Sequence, residues 1–339
     1  MTNNDVLQIG LIGIGAIGRT HIDRINNTLQ GGRVIAVSDA FADAGKKVAA
    51  QFGCKFVATG EELINDTSID AVVVTTADPY HAQYVKAAVQ AGKYVFCEKP
   101  LAPAPEACKE IVDLEMAGGK QFVQVGFMRR YDWGYQQLKD YIANRTYGEP
   151  LMLHCAHRNP DVPEGYDTPM AVENSMIHEI DVLRWLLGED YATAEVRFPK
   201  KTRHARENLQ DPQIMYLTTK SGVRIDVEAF VCNGWGYDIK CEVCCEDAII
   251  SLPEPANAMI RTNASRIYPI CKDWSTRFVQ AYNTEFQEWI NSCKAGCVTG
   301  PTAWDGYAGQ VTAAAASKAR DTQTVVNIDL PETPDFYKK

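Results

Sequence analysis

Lys99 closes a short apolar run, Tyr94-Val95-Phe96-Cys97-Glu98-Lys99-Pro100. An ammonium group at the carboxyl end of a buried parallel strand stands where open α/β sheets bind their ligands. There it can hydrogen-bond a reacting oxygen and lower the cost of alkoxide character on it. Pro100 fixes the chain after the lysine and keeps Lys99 out of ordinary helical backbone. The competing reading is a plain surface lysine beside Glu98. A second group lies upstream. Gly13-Ile14-Gly15-Ala16-Ile17-Gly18 follows a strand and opens a helix, the context in which this spacing cradles a dinucleotide pyrophosphate. Gly13 suits the tight turn, Gly15 the close approach of backbone to phosphate, and Gly18 close helix–strand packing. The helix amino terminus adds free N–H donors and a favourable dipole. Asp39 ends the second strand about 20 residues beyond the last glycine, where an acid hydrogen-bonds an adenosine ribose and repels a 2′-phosphate. That favours NAD over NADP. Thr75, Thr76, Glu98 and Lys99 complete the expected cofactor-binding set.

A third group lies in Asn174-Ser175-Met176-Ile177-His178-Glu179-Ile180-Asp181. Asn174 and His178 are four apart on a helix and so share one face, with Asp181 three further on. Asn174 suits the cap of that helix. His178 suits a general base. A lone helical histidine is as readily structural, and the residues alone leave both readings open.

The elements that must hold these groups follow from periodicity. Val6–Ile12, Val34–Val37, Ala71–Val74, Tyr94–Cys97 and Phe122–Val125 read as strands, and Ala16–Asn27, His81–Ala91 and Pro105–Ala117 as helices. Fully apolar strands alternating with helices predict a doubly wound parallel sheet, a Rossmann domain over residues 1–125. Beyond Gly126 the pattern changes to longer alternating strands at 151–158, 214–219, 223–231 and 237–245, with a hairpin turn at Ser221-Gly222. Residues 126–339 are therefore expected to form a second domain on a mainly antiparallel sheet, one face of which is left to be covered by something else. Phe278, Tyr282, Phe286, Trp289, Ile290 and Cys293 make one helical stripe.

A length of 339 residues points to two domains, and a formal charge of -9 argues against nucleic acid or an anionic membrane as partner. No apolar stretch reaches membrane-spanning length, and the first residues lack the pattern of a signal peptide. Eleven cysteines then read as reduced thiols in a cytoplasm. Cys241-x-x-Cys244 lacks a second pair or nearby histidine and is read as structural, with no metal site expected.

Taken together, these residues resemble the glucose–fructose oxidoreductase/inositol dehydrogenase family. Further likeness lies in Gln124-Val125-Gly126-Phe127-Met128-Arg129-Arg130-Tyr131-Asp132, His154-Cys155-Ala156-His157-Arg158-Asn159-Pro160, Gly236-Tyr237-Asp238 and Gly300-Pro301-Thr302-Ala303-Trp304-Asp305-Gly306-Tyr307. The later motifs are the more specific to the inositol branch. The resemblance implies that residues 126–339 form an α/β domain with a large, open-faced, mainly antiparallel sheet for substrate binding and oligomerisation, a homotetramer formed through that sheet, and an active site between the domains. There Lys99 and His178 would flank a polyol carbon, with Arg129, His157, Asn159 and Tyr237 on the ring hydroxyls. It implies NAD-dependent oxidation of an inositol hydroxyl to a ketone; a pyranose dehydrogenase and a non-catalytic NAD- or sugar-sensing relative are the alternatives. Family members usually carry aspartate where this chain has Asn174. An amide can orient an imidazole but cannot balance its charge. Asp181 is a candidate substitute carboxylate.

Overall fold

Runs of β-branched and apolar residues, each too short for a buried helix, build the first sheet. In the computed structural model, which describes residues 6–255 and 257–338, its strands are β1 (Leu7–Ile12), β2 (Gly32–Ser38), β3 (Lys55–Val57), β4 (Ala71–Val74), β5 (Tyr94–Glu98) and β6 (Val123–Gly126). They pair in parallel in the order β3-β2-β1-β4-β5-β6. The order reverses direction between β1 and β4, and that switch point is where doubly wound sheets open a ligand crevice. The intervening helices are α1 (Ala16–Asn27), α2 (Ala42–Phe52), α3 (Gly60–Asn65), α4 (His81–Gln90) and α5 (Pro105–Gly118). Gly92 ends the α4 region at φ +69°, a backbone state that a side chain would strain.

The second sheet is built from β7 (Pro150–Arg158), β8 (Tyr191–Arg197), β9 (Gln213–Thr219), β10 (Arg224–Phe230), β11 (Asp238–Cys245), β12 (Ile249–Ser251) and, after the hairpin strands β13 (Ile260–Thr262) and β14 (Ser265–Ile267), β15 (Val326–Asn327). Its order is β12-β11-β7-β10-β9-β8-β15. Every pair is antiparallel except β7 with β10. The expected mainly antiparallel, open-faced sheet is thus present. Leu153, Cys155 and His157 of β7 point to the covered face, while Met152 and His154 point outward. On that outer face His154 Nδ1 meets Asp226 Oδ1 at 2.5 Å and Arg158 bridges Glu228 and Asp238. The remaining helices are α6 (Trp133–Ala143), α7 (Ile177–Leu187), the single-turn α8 (Trp274–Arg277), α9 (Val279–Ala295) and α10 (Ala303–Thr322).

The chain divides into two units, and the first takes in more than residues 1–125. It comprises residues 1–127, 282–310 and 332–339, the second residues 128–281 and 311–331. The reason lies in the aromatic stripe of α9. Phe286, Trp289, Ile290 and Cys293 join Ile9, Leu11, Ile22, Val34 and Phe96 in one buried cluster. Phe96 and Phe286 stack with ring centroids 4.2 Å apart. The last residues return too: Tyr337 donates its hydroxyl to Glu115 Oε2 at 2.6 Å. All cysteines are free, and Cys241 lies opposite Cys155 in the β7–β11 ladder. Among the described residues no cluster of metal-ligating side chains occurs, and no helix is long and apolar enough to cross a membrane.

Candidate active site

In the first unit, the glycine loop joins β1 to α1. Gly13 adopts φ +95°, and an added Cβ there would come within 2.6 Å of the Thr75 carbonyl and the Thr76 nitrogen. Thr75 clamps the loop by donating its hydroxyl to the Gly13 carbonyl at 2.6 Å. Gly15 precedes α1, which has no side-chain cap, and a Cβ on it would meet nothing within 4 Å. The first-turn N–H groups are thus left to a ligand rather than a cap. Asp39 accepts from the Ile14 N–H at 2.9 Å through one oxygen and from the Phe41 N–H at 2.8 Å through the other.

These residues border a cavity of about 750 Å³ whose wall includes Gly13, Ile14, Gly15, Asp39, Thr75 and Thr76. Ala16, Ile17 and Gly18 lie in the first turn of α1 outside that wall, as do Glu98 and Lys99 at the end of β5. Thr76 Oγ1 is buried with no protein hydrogen-bond partner. The donor set, the uncapped helix and the acid at the end of β2 fit a dinucleotide. Arg19, Phe41, Tyr80 and Tyr84 also line the cavity. Sequence reading missed them because wall residues of a cavity carry no spacing rule. Gly18→Ala is expected to weaken NAD binding by about tenfold or more, about 1.4 kcal/mol. The new methyl would run into the Gly13 carbonyl oxygen and push the loop outward. Quenching of protein fluorescence by NADH measures it.

Lys99 follows β5 directly, and the Lys99–Pro100 peptide is cis. Buried His81, at the start of α4, ties this segment to the end of β4. Its Nδ1 lies 2.6 Å from the Pro100 carbonyl and its Nε2 3.0 Å from that of Thr76.

In the second unit, α7 packs against β7 and carries His178. The ring centroid of His178 lies 6.4 Å from that of His157, and Tyr237 stands edge-on to His157 at 6.1 Å. Asn159 follows β7, and its Oδ1 is buried with no protein donor. Arg129 is buried against the Phe278 ring at 5.5 Å. Three expected polyol contacts, His157, Tyr237 and Arg129, therefore cluster around one buried network.

The residue that organises the network is Glu179, which sequence reading passed over. It neighbours His178 in a run dominated by apolar positions, so nothing but its charge in a buried stretch could have flagged it. Its carboxylate pairs with the Arg129 guanidinium and lies 2.9 Å from His157 Nδ1. Burial on its own would raise the Glu179 pKa, but Arg129 and His157 hold it down at about 2. The same His157 Nδ1 lies 3.2 Å from Arg129 Nη2, so the carboxylate, the guanidinium and the imidazole meet at one point. Burial pushes the Tyr237 phenol up to about 12, with Arg129 opposing. Tyr237 is thus a neutral hydroxyl.

Two expectations around His178 are corrected. Asn174 does not cap the helix. It lies in a π-turn, Ala171–Ser175, where Met176 N–H donates to the Ala171 carbonyl at 2.9 Å. The cap position of α7 falls to Met176, which makes no side-chain cap bond. Asp181 is not a spare carboxylate, because its two oxygens are held by Arg130 Nε and Nη2 at 2.9 and 2.5 Å.

Comparison with known proteins then decides the family. Residues 7–127 match the profile of the oxidoreductase family with an NAD-binding Rossmann fold, and residues 139–328 that of its C-terminal α/β domain. The chain belongs to the glucose–fructose oxidoreductase/inositol dehydrogenase family. Within that family it is 51% identical to an inositol 2-dehydrogenase of Klebsiella pneumoniae (strain 342), over 98% of this chain and 99% of the relative. It is 50% identical to an inositol 2-dehydrogenase of Pseudomonas fluorescens (strain SBW25) over the same shares. Among solved structures, myo-inositol dehydrogenase from Lactobacillus casei in complex with NAD(H) and myo-inositol superposes with a TM-score of 0.96. It is 40% identical and covered completely, by 98% of this chain.

Proposed function

We propose that this chain is an NAD-dependent inositol dehydrogenase, which oxidises a secondary hydroxyl of an inositol, myo-inositol or a stereoisomer such as scyllo- or chiro-inositol, to the keto-inositol. The observation that carries the reading is 51% identity over nearly the whole chain to a relative named inositol 2-dehydrogenase. The family's NAD-binding fold and a glycine cradle shaped for pyrophosphate support the cofactor.

In this reading His178 accepts the hydroxyl proton, and Lys99 holds the same oxygen as carbonyl character develops. Bound NAD supplies the hydride acceptor at its nicotinamide C4. Asn174 orients His178 or a substrate hydroxyl. His157, Tyr237 and Arg129 hydrogen-bond ring hydroxyls, and Asn159 presents an amide oxygen that lacks a protein donor. Residues 1–125 carry the cofactor contacts and 126–339 the polyol contacts and the assembly surface. The outer face of the second sheet, with exposed Met152 and Tyr216, is where a homotetramer would form. Eleven free thiols fit a reducing, cytoplasmic setting.

The test is a panel of inositols and aldopyranoses offered with NAD while reduced nicotinamide is followed by absorbance. Turnover on at least one inositol, faster than on any aldopyranose, is expected. Silence across the inositols despite tight NAD binding would overturn the reading in favour of a sensor.

A further inference from the structure

His21 is completely buried in α1, and its two partners fix which nitrogen holds the proton. Arg24 Nη1 lies 2.5 Å from His21 Nδ1. A guanidinium can only donate, so Nδ1 must accept and the proton sits on Nε2. That Nε2 lies 2.8 Å from Glu98 Oε1. The other Glu98 oxygen accepts from the main-chain N–H of Lys99 at 3.3 Å. Arg24 is itself anchored: its Nε donates to Asn283 Oδ1 at 2.8 Å, and its guanidinium lies 4.9 Å from the centre of the Tyr282 ring. Phe286 packs on the His21 ring at 4.4 Å, and Phe96 meets it edge-on at 6.2 Å. All of these residues belong to the first unit.

Such an arrangement is costly to bury unless each member is satisfied by the next. Burial lowers the pKa of His21 against the pull of Glu98, in keeping with a neutral ring. Burial would raise that of Glu98, yet the His21 hydrogen bond, the Lys99 charge and the Lys99 N–H hold it down. A packed apolar core needs no such chain. At its far end it holds the main-chain N–H of the residue after Glu98.

We propose that Arg24 and His21 are positioning residues for Lys99: a guanidinium, a neutral imidazole and the Glu98 carboxylate form a hydrogen-bonded line that fixes the main chain presenting the ammonium group. This rests on the reading of Lys99 as the group at the reacting oxygen. A misplacement of about 1 Å of a group that must meet a reacting atom costs on the order of 10² in rate. The loss falls on turnover rather than on NAD affinity: His21 and Arg24 share α1 with the glycine cradle, but that loop is held in place by Thr75 on the Gly13 carbonyl, whereas the line ends on the Lys99 main chain.

Three variants test the line, with kcat, inositol KM, NAD dissociation constant and melting temperature measured on each. His21→Leu keeps the bulk and removes the donor; kcat should fall by about tenfold to 10², with inositol KM and NAD affinity each within about threefold of wild type. His21→Gln restores an N–H reaching Glu98 and should recover most of that loss. A folded His21→Leu enzyme with wild-type kcat would overturn the proposal, and so would a loss shared equally by NAD affinity or a glutamine variant no better than leucine. If His21→Leu does not fold, Arg24→Met decides: it frees the ring to adopt either tautomer and should lower kcat about threefold or more, and an unchanged kcat sinks the idea. Lys99→Met is run alongside. Should it keep full turnover, the reading of Lys99 fails; if it is inactive while the His21 and Arg24 variants are unaffected, only the positioning line fails.

Discussion

His178→Ala is expected to lower kcat for inositol oxidation by about 10² to 10⁴, the usual worth of a positioned general base. In free energy that is about 2.7 to 5.4 kcal/mol of transition-state stabilisation. NAD affinity should stay within about threefold, because removing an interaction made only in the transition state leaves ground-state binding alone. Lys99→Met should act on the same step with a loss of similar order. If the imidazole and the ammonium act on one oxygen, the double variant will lose far less than the product of the single losses. Steady-state NADH formation with fluorescence titration of NAD provides both readouts. Full additivity would mean that the two groups serve different steps, and full activity in either single variant would remove that residue from the mechanism.

Glu179→Gln is expected to be the most destabilising conservative substitution in the second unit. The variant keeps the shape but leaves buried Arg129 as an uncompensated cation, and breaking a buried pair in this way costs about 3 to 5 kcal/mol. The pH dependence follows from the same carboxyl. Its folded pKa of about 2 lies below the ordinary value of 4.5. The folded state therefore binds its proton less readily than the unfolded chain does. The pair's contribution is complete above about pH 5 and is lost as pH falls towards 2, on the order of 3 kcal/mol in all. Urea unfolding at pH 7 and at pH 4 measures both effects. The wild type should lose stability across that interval, and Glu179→Gln should start lower and lose less. A variant as stable as wild type at pH 7 would show that Arg129 is satisfied without Glu179.

Most of the first unit was legible in the sequence because its signals are local. Apolar strands of fixed length, a glycine spacing with a backbone reason at Gly13, and a strand read to Cys97, one residue short of its end at Glu98, all declare themselves within a few residues. The second sheet was legible as alternation, although the parallel pairing of β7 with β10 depends on strands more than sixty residues apart and leaves no mark on either. Short β3 and the edge strand β15 were missed for lack of length. Around His178 the reading failed for a different reason. A cap reading needs the residue at which the α-helix begins, and the π-turn at Ala171–Ser175 carries the chain into α7 so that Met176, not Asn174, stands there. Glu179 and the Arg24–His21–Glu98 line were hidden because their partners come from distant segments. Charge alone does not say whether a carboxylate will be solvated or buried.

The interleaving of the two units bears on how this protein is made. The cofactor module cannot finish its interior until Phe286, Trp289, Ile290 and Cys293 have left the ribosome, although its sixth strand ends at Gly126. At a translation speed of about 5 to 20 residues per second, the nascent chain carries an uncovered apolar sheet face for roughly 10 to 30 s. A release at residue 125 would make that exposure permanent, so the nucleotide module of this enzyme is a product of late synthesis and not a head start for it.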